Sequence, residues 1–233
     1  LSSVPATQLG AIAVRAAVER AGVNPEEIEE VIMGNVVQAG QGQAPARQSG
    51  ILGGVPATVS ATTINKVCGS GLKAAMMASQ AVRAGDASLF VAGGFESMSG
   101  APFLVTGRSG ELKFGDQPLT DALLKDGLWD PFENWSMGNA AEFIADEYEV
   151  TREAMDNFAL RSHGKAVEAQ AAGRFASEIV PVRIESRKGE VVSFDLLTAR
   201  TRRDRFPGGA SATLGPDGTL YTVNDSLEVT QYL

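Results

Sequence analysis

The residue best placed for covalent chemistry is Cys68, the single cysteine among 233 residues. It follows a stretch rich in Val, Thr and Ile, a composition that favours a strand, and it precedes Gly69 and Gly71, after which a helical pattern begins. Backbone N–H groups at the start of a helix stabilise a thiolate, and neighbouring glycines leave room for a substrate. Cys68 is therefore either a nucleophile or a small buried hydrophobic side chain, the common state of a lone cysteine.

A β-α-β unit would position this cysteine. The strand predicted over residues 57–67 is followed by a helix from Leu72 that ends at Gly85, and then by a second strand over residues 88–92. That second strand is apolar on both faces, as buried parallel strands are. We expect the two strands to be parallel, with a right-handed crossover. Cys68 should then lie at the carboxyl ends of the strands, where open α/β sheets bind ligands.

The rest of the first hundred residues is also typical of an α/β fold. A short apolar run at residues 31–33 predicts another strand. An opening helix begins near Pro5 and ends at Gly22. Its core-facing stripe is predicted at the helical spacing of Leu9, Ile12, Ala13, Ala16 and Ala17.

From Ser99 the pattern changes. Residues 99–127 contain Gly, Pro and isolated aromatic residues without a sustained period, which predicts a domain boundary or a large insertion. A helix is predicted over residues 152–171, and its apolar stripe includes Met155 and Phe158. Two strands are predicted after it, over residues 178–184 and 190–194, with a turn at Lys188-Gly189.

Composition excludes several classes of function. The net charge is −8, so no overall positive charge attracts nucleic acid. One cysteine and one histidine rule out a disulfide framework and a Cys/His zinc cluster. No apolar run approaches the roughly 18 residues of a membrane span, and the start lacks the pattern of a signal peptide. We expect a protein that is not exported and whose cysteine suits the reducing cytosol.

Several strings of residues closely resemble the thiolase family. The most specific are NKVCGSGLK at residues 65–73 and VAGGFESMS at residues 91–99. The resemblance extends from residue 1 to about residue 195. Further matching segments lie at residues 31–36, 42–48, 84–87, 137–142 and 158–163.

The resemblance implies a fold and an activity. The fold is α/β, a thiolase-like layered α/β/α half with an inserted loop domain. The activity is that of an acyl-CoA C-acyltransferase, either an acetyl-CoA acetyltransferase or a 3-ketoacyl-CoA thiolase. Cys68 would be the catalytic nucleophile that receives the acyl group as a thioester, while Leu128 and Met137 match positions that bind the substrate. Acyl-CoA thioesters are the substrates, and no metal or tightly held cofactor is implied. Ser136 departs from the His that commonly occupies its position.

The resemblance also implies that catalytic partners lie outside this chain. In the family, the His that activates the nucleophile, a second Cys and an oxyanion-hole Asn belong to a second half, beyond Leu233. His163, the single histidine, matches a non-catalytic position on a helix surface. We therefore expect a fragment in three parts: residues 1–98, a core half without its first strand; residues 99–200, a loop domain over the CoA site; and residues 201–233, an atypical tail.

Three interpretations of the function remain open at this point. We expect an acyltransferase that is weakly active or inactive as this fragment. The alternative is a non-catalytic remnant that acts only in oligomerisation or interaction, and a ketoacyl synthase is a weaker rival.

The four arginines within residues 200–205 would bind an anion or, the interpretation we favour, form a solvated run. The resemblance further implies a cytoplasmic homo-oligomer, a dimer or tetramer, in fatty acid metabolism, without nucleic acid or membrane partners.

Overall fold

The computed structural model of the chain describes residues 1–105, 107, 114–185, 191–194, 211–214, 220–223 and 229–232. Contacts divide it into two compact units, Leu1–Ala140 with Val182–Ser193, and Ala141–Pro181 with Phe194–Leu233. None of the helices in the described ranges is long and apolar enough to cross a membrane. The division predicted at residues 98 and 200 remains a prediction.

A three-stranded parallel sheet forms the core of the first unit. The strands are β1 (Glu30–Gly34), β2 (Ser60–Ile64) and β3 (Phe90–Gly94), in the order β2-β1-β3. Ile32 of the central strand is opposite Thr62 and Ala92. The prediction that the two strands flanking the Cys68 segment are parallel is confirmed, and β1 lies between them.

Helices pack on both faces of this sheet. The side chains of β1 alternate between the faces, as a pleated strand requires. Val31 and Met33 lie in a buried cluster with the first two helices, whereas Ile32 packs against the third. This layered α/β/α arrangement is the predicted fold class. The helices are α1 (Ala6–Ala21), α2 (Pro45–Leu52) and α3 (Ser70–Ala84).

The prediction for the buried face of α1 is wrong. Ala13 and Ala17 are exposed, and Leu9, Ile12 and Ala16 are half-buried. Apolar residues surround most of this helix, so more than one stripe fits helical spacing. Packing against α2 and the sheet selects the stripe that contains Gly10, where an added Cβ would meet Ser49 and Phe95. The buried residues are Ala6, Thr7, Gly10, Ala11, Val14 and Val18.

Short elements make up the rest of the first unit, which agrees with the absence of a sustained period after Ser99. A π-helix at Leu124–Leu128 lies between two small antiparallel strand pairs. Single-turn 3₁₀-helices occur at Pro25–Glu27 and Met98–Gly100. The paired strands are β4 (Phe103–Leu104) with β5 (Thr120–Asp121), β6 (Trp129–Asp130) with β7 (Trp135–Ser136), and β8 (Val182–Glu185) with β9 (Val191–Phe194).

The end of the chain contains two longer helices and a second sheet. Helix α4 spans Met137–Glu147, and α5 spans Arg152–Ala171, the range predicted from sequence. Thr151 caps α5 by accepting a hydrogen bond from the Ala154 N–H at 3.2 Å. Strands β10 (Ser211–Leu214), β11 (Leu220–Val223) and β12 (Val229–Tyr232) form an antiparallel sheet. The predicted turn at Lys188-Gly189 and the arginine run at 200–205 lie outside the described residues.

Candidate active site

Three loops meet at the carboxyl ends of the parallel strands and border a cleft of about 520 Å³. They are residues 35–37 after β1, residues 65–69 after β2 and residues 95–98 after β3. Cys68 lies at this edge of the sheet, as predicted. The lining is mainly apolar and includes Val37, Val67, Phe95, Met98, Leu123 and Leu128.

Hydrogen bonds from neighbouring side chains hold the turn that carries Cys68. The Ser70 hydroxyl accepts from the Lys66 N–H at 2.8 Å and donates to the Val67 carbonyl at 2.5 Å. The Asn65 side chain accepts from the Val67 N–H at 2.9 Å. Val67 has a φ of +47°, in the left-handed region that β-branched residues rarely adopt. The turn leaves the Cys68 thiol exposed, two residues before the first residue of α3.

Glycines allow this turn to lie directly on the sheet. A Cβ at Gly34 would come within 2.6 Å of Ser70 atoms, and a Cβ at Gly94 within 3.2 Å of Gly71 Cα. Real Cβ atoms essentially never approach other atoms to less than 3.0 Å and rarely to 3.2 Å, so a side chain at Gly34 would displace the start of α3 and one at Gly94 would crowd it. The start of α3, with the positive end of its dipole, is therefore fixed beside Cys68.

Glu96 lines the cleft and joins the ends of two strands there. Its Oε1 accepts from Asn35 Nδ2 at 2.8 Å and from the Val37 N–H at 3.0 Å, and its Oε2 accepts from the Val36 N–H at 2.8 Å. Asn35 Nδ2 also donates to the Phe95 carbonyl at 3.1 Å. The residues around Glu96 predict no role for it. The only signal was its place in the VAGGFESMS string, because its partners lie about 60 residues earlier.

The structure separates the two residues predicted to bind substrate. Leu128, at the end of the π-helix, lines the cleft that contains Cys68 and is 38% exposed. The Asp121 side chain begins this segment by accepting from the Leu123 N–H at 2.8 Å. Met137 is the first residue of α4, is 42% exposed and is not among the residues that line this cleft. A substrate-binding role for either residue stays a prediction.

Ser136, which departs from the family pattern, caps the start of α4. Its hydroxyl donates to Asn139 Oδ1 at 2.7 Å. The Asn139 N–H donates to Ser136 Oγ and the Ser136 N–H donates to Asn139 Oδ1, each at 3.3 Å. Such reciprocal bonds satisfy N–H groups that a helix start leaves unpaired. Ser136 therefore serves the backbone at the start of α4.

His163 lies on α5 and is exposed, as predicted. It belongs to the second compact unit, and the cleft residues belong to the first. Among the residues that line the cleft, the nucleophile is the exposed thiol of Cys68, which lies beside a helix N-terminus and next to an apolar surface suited to an alkyl or acyl chain. A thiol so placed can attack a carbonyl carbon and hold the product as a thioester.

Comparisons with known proteins agree with these features. The family model described as the N-terminal domain of thiolase matches residues 1–204. An acetyl-CoA acetyltransferase of Cupriavidus necator is 55% identical over 194 residues, which are 83% of this chain and 49% of that protein. One of Pseudomonas aeruginosa is 47% identical over 195 residues (84% and 50%). Acetyl-CoA acetyltransferase 2 of Arabidopsis thaliana is 47% identical over 227 residues (92% and 56%). The chain spans about half the length of these curated relatives.

Proposed function

This chain belongs to the thiolase family, and we propose that it is the part of an acyl-CoA C-acyltransferase that carries the nucleophile. The observation that carries the proposal is the exposed thiol of Cys68 on a hydrogen-bonded turn beside an apolar cleft. The relatives named acetyl-CoA acetyltransferase support acetyl-CoA as a substrate. Because the chain spans half of those proteins, the complete reaction is proposed for the whole protein, of which this chain supplies the first step.

In the first step, the Cys68 thiolate attacks the carbonyl carbon of the acyl thioester. A bond forms from Sγ to that carbon, and the bond from the carbon to the CoA sulfur breaks. The electron pair leaves on the CoA sulfur, which takes up a proton. The N-terminal end of α3 is proposed to stabilise the oxyanion of the tetrahedral intermediate. The acyl group then remains on Cys68 as a thioester, with its chain against the apolar lining of the cleft.

In the second step, the α-carbon of a second acyl-CoA, after loss of a proton, attacks the carbonyl carbon held on Cys68. A carbon–carbon bond forms, the bond from the carbonyl carbon to Sγ breaks, and the electron pair returns Cys68 to the thiolate. Covalent catalysis divides a difficult transfer into two easier ones. The groups that activate Cys68 and remove the α-proton are proposed to come from residues outside this chain, since it has one cysteine and one exposed histidine. Leu128 and Met137 are proposed to contact the substrate. The proposed reaction uses CoA thioesters as substrates and requires no metal or resident cofactor.

We further propose a cytoplasmic homo-oligomer that acts in fatty acid metabolism, as the family resemblance implies. A single free cysteine suits a reducing compartment. Large apolar side chains exposed on α3, Leu72 and Met76, support association with another copy.

Acetylation of Cys68 tests the proposed first step. The full chain is incubated with acetyl-CoA over a range of concentrations and examined by intact-mass and peptide mass spectrometry. We expect one acetyl group on Cys68, at a low rate that saturates with acetyl-CoA, because the activating groups are proposed to lie outside this chain, and none in Cys68→Ala. S-acetyl-N-acetylcysteamine carries the same thioester without the nucleotide, so it distinguishes binding of CoA from simple thiol reactivity. Its reaction should remain linear in concentration.

Two results would contradict the proposal. If iodoacetamide labels Cys68 but acetyl-CoA transfers nothing, the thiol is accessible without being activated, and the chain is a non-catalytic fragment. Equal rates with the two thioesters would show that the chain does not recognise CoA.

A further inference from the structure

We propose that Glu96 is a positioning residue that holds one wall of the acyl cleft in place beside Cys68. The inference rests on the proposed function, since it concerns the surface that receives the acyl chain. The wall consists of Val36 and Val37, which line the cleft. Their N–H groups both donate to the Glu96 carboxylate, at 2.8 and 3.0 Å.

Glu96 itself lines the cleft, and the hydrogen bonds of its carboxylate go to the wall and to the adjacent Asn35. Oε1 accepts two hydrogen bonds and Oε2 accepts one, all from residues 35–37. Hydrogen bonds to an ionised acceptor are about twice as strong as those between neutral groups. A carboxylate engaged in this way acts on a substrate through the segment that it holds.

The position of Glu96 in the chain makes this link effective. Glu96 lies after β3, whereas the wall lies after β1, so the carboxylate connects two strand ends that chain connectivity leaves independent. Backbone bonds at the same edge, from Phe95 N–H to Gly34 O and from Asn35 N–H to Ile64 O, extend the connection to all three strands. When the carboxylate is replaced, the apolar side chains of the wall lose their fixed distance from the thiol.

Selective alkylation of Cys68 tests this role without requiring catalysis. Iodoacetamide and N-butyl iodoacetamide form the same bond from Sγ to carbon and release iodide, but only the second places an alkyl chain against the wall. We expect the wild type to react faster with the butyl reagent, since each buried methylene contributes up to roughly fourfold. In Glu96→Gln the ratio of the two rate constants should fall at least about threefold, because one amide oxygen cannot accept all three bonds.

Glu29→Gln is the matched control. Glu29 also accepts a backbone hydrogen bond between two strands, from the Ser88 N–H at 3.1 Å, but before β1 and β3, at the edge opposite Cys68. The control should keep the wild-type ratio. Glu96→Asp supplies a second test variant, since it keeps the charge on a side chain too short to reach the same donors.

Several outcomes would overturn the inference. The first is a ratio of the two alkylation rate constants that stays unchanged in Glu96→Gln. The second is a fall of that ratio in Glu29→Gln as large as the fall in Glu96→Gln. The third is a wild-type ratio near one. Loss of cooperative urea unfolding in both Glu96 variants would show a general structural role instead. Failure of the proposed function remains distinguishable: a chain that accepts no acetyl group from acetyl-CoA but shows the expected fall in ratio would retain the positioning role of Glu96.

Discussion

Backbone strain and the hydrogen bonds that hold the strained turn are concentrated in the residues around Cys68. A left-handed backbone conformation costs a residue with a Cβ about 1–2 kcal/mol, and Val67 adopts it with a φ of +47°. Two hydrogen bonds hold the same turn: the Asn65 side chain accepts from the Val67 N–H, and the Ser70 hydroxyl donates to the Val67 carbonyl. The conformation of Val67 lowers the stability of the turn, whereas the hydrogen bonds fix the position of the exposed thiol.

Replacing Val67 with a residue that tolerates this conformation should stabilise the protein. We expect Val67→Asn to raise the free energy of unfolding by about 1 kcal/mol. The measurement is urea denaturation followed by tryptophan fluorescence, since Trp129 and Trp135 both lie in the first unit. Val82→Asn, at a valine of similar exposure on α3 (46% against 48%), should show no gain. An equal effect of both changes would contradict strain at Val67.

Removing the Ser70 hydroxyl should destabilise the turn. Ser70 is buried, and Ser70→Ala removes both the acceptor of the Lys66 N–H and a donor to the Val67 carbonyl. The expected loss is about 1–2 kcal/mol in the same urea experiment. Ser79→Ala, at an exposed position of the same helix, should change stability by less than about 0.5 kcal/mol. Comparable losses in the two variants would show that the Ser70 bonds contribute nothing specific.

Sequence predicts some of these residue roles and not others. The position of Cys68 follows from local signals, a β-branched run before it and glycines after it. The role of Glu96 depends on donors about 60 residues away, and nothing in the local sequence identifies them. The left-handed conformation of Val67 is equally hidden, since valine is among the residues least expected there.

At the scale of elements, close packing decides how the helices lie on the sheet. A Cβ at Gly10 of α1 would come within 2.5 Å of Ser49 Oγ and 2.6 Å of a Phe95 ring carbon. Because of this contact, the stripe of α1 that contains Gly10 is buried, and not the face predicted from periodicity. The helical spacing of apolar residues predicted the helix and its ends. Because apolar residues lie on most sides of α1, tertiary packing determines which side is buried. The predicted range of α5 is correct because its cap at Thr151 is a local signal.

The same substitution at two glycines should therefore have opposite effects. Alanine favours a helix over glycine by about 1 kcal/mol. Gly164 of α5 has no described atom within 4 Å of an added Cβ, so Gly164→Ala should stabilise that helix by this amount. Gly10→Ala should instead destabilise the first unit by about 1–3 kcal/mol, because overpacking outweighs propensity. Circular dichroism and tryptophan fluorescence during urea unfolding measure the two effects, and a stabilised Gly10→Ala would contradict the close packing.

At the scale of the whole molecule, net charge and exposed apolar surface have opposite effects on association between chains. The net charge of −8 favours separate chains. Apolar side chains exposed on α3 favour association: Leu72 is 71% exposed and Met76 is 48% exposed, and their i, i+4 spacing places them on one face of the helix. Screening by salt weakens the repulsion and leaves the apolar attraction in place. Association should consequently increase with ionic strength.

Analytical ultracentrifugation tests this balance. At an ionic strength of about 0.15 M we expect a weight-average mass above the 24.4 kDa of one chain that rises with concentration. Exchanging both apolar side chains, in Leu72→Gln with Met76→Gln, should lower the mass toward that of the monomer, because it removes the apolar face. Leu119→Gln, at a leucine outside α3 that is 64% exposed, is the control and should leave the mass unchanged. A wild-type monomer at every concentration would exclude association through α3, and an equal effect of the control would attribute association to exposed apolar residues in general.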